Sequence, residues 1–189
     1  MRSRRIWTEF SAIWPSGRTS EEESARMNPA SLRQAGAEAA KRLVEEGLKP
    51  LGEKEAVEKS LALLARSEVV MVGSNDGSGY PNMKAMFKIE SEGLSTIWFS
   101  TNTSSRRVAQ FKKDPKASVY VFDPASFSGL LLVGEMEIMQ DRATKRRFWQ
   151  EGWEAYYPLG VTDEDYCVPR FTAKRGNFYQ GLQNSDFEL

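Results

Sequence analysis

Over residues 53–189 the hydrophobic positions follow two rhythms. Ala56, Val57, Leu61, Leu64 and Ala65 recur at helical spacing behind acids in the first turn, which predicts a helix over Glu53–Arg66. Val69–Gly73 reads as a short β-branched strand. Ser74-Asn-Asp-Gly-Ser-Gly79 is turn chemistry, because Asn and Asp tolerate positive φ and glycine prefers it. A strand over Asn82–Glu90 follows, and Gly93 turns it into another over Leu94–Ser100, so two hairpins in succession form an antiparallel meander. Ser104–Lys113 has the polar start and Val108/Phe111 spacing of a short helix, stopped by Asp114-Pro115. Strands are predicted at Ala117–Phe122 and at Leu130–Met139, which contains Gly134. A helix with a basic face over Arg142–Trp153 and closing strands at Tyr166–Ala173 and Phe178–Leu182 complete the pattern. Roughly six or seven strands in near-sequential order, with little βαβ alternation, predict a mainly β (α+β) fold: an antiparallel barrel with helices plugging its ends.

Residues 1–52 read differently. Trp7, Phe10 and Trp14 are isolated, and Ser16–Ser24 is rich in Ser, Gly and Glu. Ala30–Gly47 is Ala- and Glu-rich, with a thin apolar face of Leu32, Ala35, Ala39 and Leu43, so a helix over about 30–46 is expected to need a partner. The expected organisation is an N-terminal extension over 1–52, partly helical or mobile, and a barrel domain over 53–189. Met27 offers an alternative start.

Composition narrows the chemistry. The 189 residues carry 26 basic and 26 acidic side chains, so no net charge draws the chain to nucleic acid or to an anionic membrane. The longest apolar runs, Val69–Val72 and Leu130–Val133, fall far short of the ~20 residues of a membrane span. Thr8, Glu9 and Ser11 interrupt any signal-peptide core. One cysteine, Cys167, permits no intrachain disulfide and fits a reducing, cytoplasmic setting. The chain has no histidine. That removes Ser-His-Asp and Cys-His nucleophiles, the usual zinc sites and the commonest proximal haem ligand. Any chemistry falls to carboxylates, Tyr, Lys, Arg, the backbone, or a cofactor with its own reactivity.

The strongest local feature is Ser100-Thr-Asn-Thr-Ser-Ser-Arg-Arg-Val108, a strand end running into a helix start. A helix N-terminus carries unpaired N–H groups and partial positive charge, where cations are normally disfavoured. Arg106 and Arg107 in that turn, with Lys112 and Lys113 behind and no acid before Asp114, point to a nearby anion. Hydroxyls, N–H groups and a guanidinium fork are the set that holds a terminal phosphate. The bland alternative is Ser104 or Ser105 as an ordinary N-cap with the arginines in solvent. On the strand Asn82–Glu90, Lys84, Met86 and Lys88 share one face, while Met83, Ala85, Phe87 and Ile89 form an apolar one. Solvated lysines explain Lys88 better than Lys84. Gly73–Gly79 precedes a strand, not a helix, and so reads as a hairpin turn rather than a dinucleotide loop. Trp149, Trp153, Tyr156 and Tyr157 read as core packing before a stacking surface. Asp163, Glu164 and Asp165 read as a solvated loop, and Cys167 as a buried small hydrophobe.

The segment Trp98–Val121 resembles the pyridoxamine 5'-phosphate oxidase-like flavoproteins. It shares their aromatic-x-Thr-Asn strand end, Ser-Arg-Lys-like turn (Ser-Arg-Arg here) and Asp-Pro helix stop. Gly79-Tyr-Pro-Asn-Met-Lys-Ala-Met86 is similar to that family's Gly-x-Pro-x-x-Arg-x-Met segment. Tyr156-Tyr-Pro-Leu-Gly160 and Asp165-Tyr-Cys167 are similar to its general-stress-protein branch. The likeness covers about residues 53–183. It implies a split β-barrel and a homodimer with FMN at the subunit interface. It implies that Lys84, Ser105, Arg106 and Arg107 hold the phosphate, that Ala85 and Met86 lie along the isoalloxazine, and that Ser100 and Thr101 contact the ring or ribityl chain. The family's type enzyme holds pyridoxal phosphate with a C-terminal Arg-x-His segment. Here that region reads Arg175-Gly-Asn-Phe-Tyr-Gln-Gly181.

Three functions compete. The first is an FMN-dependent oxidoreductase that moves a hydride through flavin N5 on an unassigned small-molecule substrate. The second is a flavin-binding redox sensor or stress protein without turnover, with a deazaflavin-dependent reductase as a variant in cofactor. The third, a nucleic-acid module built on Arg106, Arg107, Lys112, Lys113 and the Arg142–Arg147 face, is weakest because net charge is zero. No catalytic side chain and no metal site is assigned.

Overall fold

The computed structural model describes residues 29–189. Trp7, Phe10, Trp14, the Ser16–Ser24 stretch and Met27 lie outside the described residues, as do the side chains of Leu32 and Leu43. The chain divides into two compact units at Gly47/Leu48. In the first, helix α1 spans Pro29–Gly47. Ala35 and Ala39 are exposed on it. Pairs one turn apart run along its surface: Gln34 Nε2 donates to Glu38 Oε1 at 3.3 Å, and Lys41 lies 3.7 Å from Glu45. Such pairs each contribute only about 0.2–0.5 kcal/mol.

The second unit opens with α2, Glu53–Arg66, bounded as its periodicity predicts. Then come β1 (Val69–Asn75), β2 (Pro81–Glu92), β3 (Thr96–Phe99), the two-residue β4 (Thr101–Asn102) and α3 (Arg106–Lys113). β5 (Lys116–Asp123), β6 (Ser128–Met139), α4 (Arg142–Phe148), β7 (Tyr166–Gln180) and β8 (Gln183–Glu188) follow. Sheet order is β3-β2-β1-β5-β6-β7, and β3 pairs back onto β7 (Ile97↔Phe171), which closes a six-stranded antiparallel barrel. β4 and β8 both add to β7. The fold class is therefore the antiparallel, split-barrel type expected.

Period two decides what lies inside. Val70, Val72, Ile97, Phe99, Val119, Val121, Leu130, Leu132 and Phe171 point inward, and Leu63 and Leu64 of α2 and Phe111 of α3 pack against them. Each such side chain, fully buried, stabilises by about 1.5–3 kcal/mol. At Gly134 the β6–β7 register shifts. A Cβ there would overlap the Thr172 carbonyl, so the seam accepts only glycine.

Three readings change. The polar run Lys174–Asn177 looked like a break between closing strands, yet β7 is continuous through it. Lys174 pairs with Glu135, and Asn177 Nδ2 donates to Asp186 Oδ1 at 2.8 Å, so its polar positions find partners on neighbouring strands. Beyond Gly181, β8 is almost wholly polar, with Phe187 as its buried residue, which hid it from a hydrophobicity pattern. The helix expected over Arg142–Trp153 stops at Phe148, and a short 3₁₀ turn covers Trp153–Ala155.

Candidate functional site

β3 ends at Phe99, and Ser100 carries the chain into β4, which pairs with β7 through Thr101↔Cys167 and Asn102↔Tyr166. Ser105 then caps α3 in an extended conformation (φ −67, ψ 144). Asp165 ties this connection down. Its carboxylate accepts from the Ser104 N–H (2.7 Å), Asn102 Nδ2 (2.8 Å) and Ser104 Oγ (3.1 Å), and its carbonyl accepts from the Thr103 N–H (2.7 Å). The Ser104 N–H, then Asn102 and the Ser104 hydroxyl, hold the Asp165 carboxyl below its ordinary value. Asp163 is itself buried: its carboxylate accepts from the Leu159 and Asp165 N–H groups, and its carbonyl accepts from buried Lys145 Nζ at 2.6 Å. Of the three acids read as a solvated loop, Asp163 and Asp165 are struts of the site, while Glu164 is exposed.

So braced, the start of α3 presents two features. Ser105 Oγ is buried and has no hydrogen-bond partner. Arg107, in the first turn, donates from Nη1 to Thr101 Oγ1 at 3.1 Å. The first N–H groups of any helix also lack intrahelical acceptors. This concentrates donors at one point, with the Ser105 hydroxyl unpartnered and the Arg107 fork bonded once, to Thr101, among the described residues, the complement of a phosphate. The residues present fit the terminal phosphate of a flavin mononucleotide.

A cavity of about 640 Å³ opens beside it, within the usual range of small-molecule sites. Ser100, Thr101, Asn102 and Arg107 form one wall, Phe87, Lys88 and Ile89 of β2 another, and Trp153, Tyr156 and Tyr157 a third. Behind the third wall lies a second core of Trp98, Phe148, Tyr157, Tyr166 and Val168. Tyr166 is its hub, with ring centroids 4.9 Å from Tyr157, 5.3 Å from Trp149 and 5.9 Å from Trp153. Burial, and then neighbouring Cys167, push the Tyr157 phenol up to about 12, while the Ser100 hydroxyl and Arg107 pull the other way. Tyr157 is therefore protonated and a donor at neutral pH. Cys167 is buried, donates to the Thr101 carbonyl, and has its thiol pushed up by burial, the state of an inert thiol.

The structure gathers only some of the expected residues. Ser100, Thr101 and Arg107 line the cavity, and Ser105 sits at the adjoining helix cap. Arg106 is exposed and borders a different cavity, about 690 Å³, with Asn75, Gly77 and Lys113. Lys84 and Ala85 are exposed on β2 away from the first cavity, and Met86 packs into the barrel core. The β2 face taken as cationic is the one that turns Met86 inward, while apolar Met83 and Phe87 look outward. Asp165, Lys88 and the aromatic wall were not singled out as site residues. Asp165-Tyr-Cys167 had marked the acid only as part of a motif.

A closed antiparallel barrel with a donor-rich helix cap at one end defines the split-barrel class. The family model described as pyridoxamine 5'-phosphate oxidase like matches residues 55–186, and the chain belongs to that family. It is similar to the crystal structure of a protein from Clostridium acetobutylicum related to general stress protein 26 of Bacillus subtilis, of the pyridoxinephosphate oxidase family. The two share 46% identity over 74% of this chain and 97% of that one, with a TM-score of 0.66. General stress protein 26 of Bacillus anthracis shares the fold at 14% identity (70% and 98% covered, TM-score 0.59). So does a heme binding protein of Mycobacterium smegmatis at 16% identity (73% and 60% covered, TM-score 0.59). No curated protein matches the chain.

Proposed function

We propose that this chain is an FMN-dependent oxidoreductase that works as a homodimer on a small organic substrate. The observation that carries this reading is the buried, unpartnered Ser105 Oγ at the α3 cap, two residues before Arg107. Ser105, Arg106, Arg107 and Lys84 are the phosphate ligands in this reading, with Ser100, Thr101, Ala85 and Met86 along the ribityl chain and ring. Ala85 stands on an outer barrel face that also exposes Val69, Met71, Met83 and Phe87, and Lys84 is exposed next to it on the Met86-bearing face of β2. An apolar face of that kind favours cover by a second copy, which would bring these two residues to an interfacial cofactor.

Bound flavin supplies N5, which gives or takes the hydride. The chain's own residues do the rest. Ser105 and Arg107 fix the phosphate, and Asp165 keeps their loop from moving. Protonated Tyr157 offers a hydrogen bond into the cavity, and Trp153 and Tyr156 exclude water from its mouth. The lone, buried Cys167 fits a reducing, cytoplasmic setting.

The test is the visible spectrum of the purified protein with mass identification of any released ligand, followed by FMN titration of Arg107→Ala. Loss of a charge-assisted hydrogen bond of about 1.5–3 kcal/mol should weaken FMN roughly 10–100-fold with the fold intact. Unchanged affinity would overturn the phosphate assignment. Bleaching by a reduced nicotinamide, with turnover, separates the enzyme from a flavin carrier. In sedimentation, the wild type should run as a dimer and Phe87→Glu as a monomer.

A further inference from the structure

We infer that Lys88 selects the substrate: it receives the anionic group of a flat, conjugated organic acid whose ring lies between the aromatic side chains at the cavity mouth. The inference rests on reading this cavity as the substrate site of a flavoprotein.

The backbone aims Lys88. β2 and β3 pair Lys88 with Phe99 and then Glu90 with Trp98, so Ile89 is an extra residue and the ladder bulges there. The Lys88 N–H continues the β1–β2 pairing one residue beyond Val69↔Phe87 and donates to the Glu68 carbonyl at 2.8 Å. Bulges are common beside active sites. Lys88, the last residue before this one, lines the cavity, half-buried.

Its charge is unanswered. The neighbouring cations Arg147, Arg170 and Lys174 each sit against a glutamate of the barrel wall. Among the described residues, Lys88 has no carboxylate within ion-pairing distance. Burial alone disfavours its charged form. Arg107, the other cation on the cavity, is taken by the cofactor phosphate in the flavoprotein reading. A partly buried, unpaired ammonium facing a cavity is satisfied by an anion from outside.

The mouth sets the shape of that anion. Tyr156 is 73% exposed although it borders the cavity, and Trp153 stands with it. Aromatic faces bind planar conjugated bodies by stacking and edge contacts. A carboxylate on an aromatic ring meets both demands.

The test uses the full-length protein, with flavin content read from its visible spectrum, and titrates benzoate and benzamide by calorimetry. The wild type should bind benzoate at least about tenfold more tightly than benzamide. Lys88→Met should erase that preference, Lys88→Arg should restore most of it, and all three should hold equal FMN. Equal binding of acid and amide, no binding of either at millimolar concentration, or an unchanged preference in Lys88→Met would overturn the inference. So would loss of FMN in Lys88→Met alone, which would move Lys88 to the cofactor. If no form binds FMN even when it is supplied, the flavoprotein reading fails instead, while the acid-over-amide preference is still scored on its own.

Discussion

The barrel wall and its cavity end are built on opposite rules. In the wall, inward positions are aliphatic or aromatic, and the antiparallel ladder runs from β3 round to β3 again. Charged residues stay outside and pair across strands, as Arg170 does with Glu137. At the cavity end the enclosed groups are polar or amphipathic. Lys145 is buried on the Asp163 carbonyl with its ammonium 5.4 Å from the Tyr166 ring, and Ser105 Oγ has no partner at all. The wall maximises burial and, among the described residues, leaves only Arg170 Nε as a buried side-chain atom without a partner. The end leaves donors open, which costs stability and leaves groups for a ligand to satisfy. Wall substitutions should therefore change stability, and end substitutions should change binding.

The largest effect is expected at the seam. Gly134→Val would drive side-chain atoms into the Thr172 carbonyl and the Ala173 backbone where β6 and β7 shift register. Overpacking against backbone that cannot yield should cost about 3 kcal/mol or more, read as a fall in denaturation midpoint. A variant of wild-type stability would mean that the wall is looser than described.

Next comes Asp165→Ala, which releases Ser104 and Asn102 together. FMN should bind about tenfold more weakly, the scale of one net hydrogen bond to a charged group, while the melting temperature changes little. A large loss of stability with intact FMN affinity would reverse the comparison. The pH dependence has a definite sign. The folded carboxyl lies below the ordinary aspartate value of 3.8, so its ties are complete above that value and fail as pH falls through the lowered one. Flavin retention should be level from neutral pH down to about 4 and drop below it.

The smallest effect lies in the second core. Tyr157 is pushed up to about 12 and Tyr166 is raised further by burial; outside that core, Tyr120 on β5 is pushed up to about 12 by burial and by its 2.7 Å hydrogen bond to Tyr179. A raised phenol stays neutral in the folded state while the unfolded one ionises near 10. Stability should thus be level below pH 10 and decline between 10 and about 12. Ultraviolet titration should find these three tyrosines ionising late, and Tyr157→Phe should remove one of them, bring Tyr166 down somewhat because Tyr157 helps raise it, and leave Tyr120 unmoved.

Much of the wall was legible in advance. The helix Glu53–Arg66 carries its period in its own residues, and Ser74–Gly79 carries its turn chemistry. The Ser100–Val108 connection announced a helix cap loaded with cations. The cavity end was far less legible. Asp165 bonds groups 61 residues away in sequence, so no local pattern marks it. Lys88 looked like a solvated lysine on an amphipathic strand because the bulge after it depends on how β3 pairs, not on β2 alone. β7 seemed to end at Lys174 because its polar positions are matched by side chains on β6 and β8.

By itself, then, the chain's sequence determined its turns, most of its strands and helices, the donor set at the start of α3, and the exclusion of histidine chemistry. All of these depend on residues a few positions apart or on composition. The tertiary structure decided the rest. It closed β3 onto β7, turned Met86 inward and Phe87 outward, aimed Lys88 into the cavity and set Asp165 under the loop. Which face a strand side chain takes follows from register and bulges, and register is set by partner strands distant in sequence.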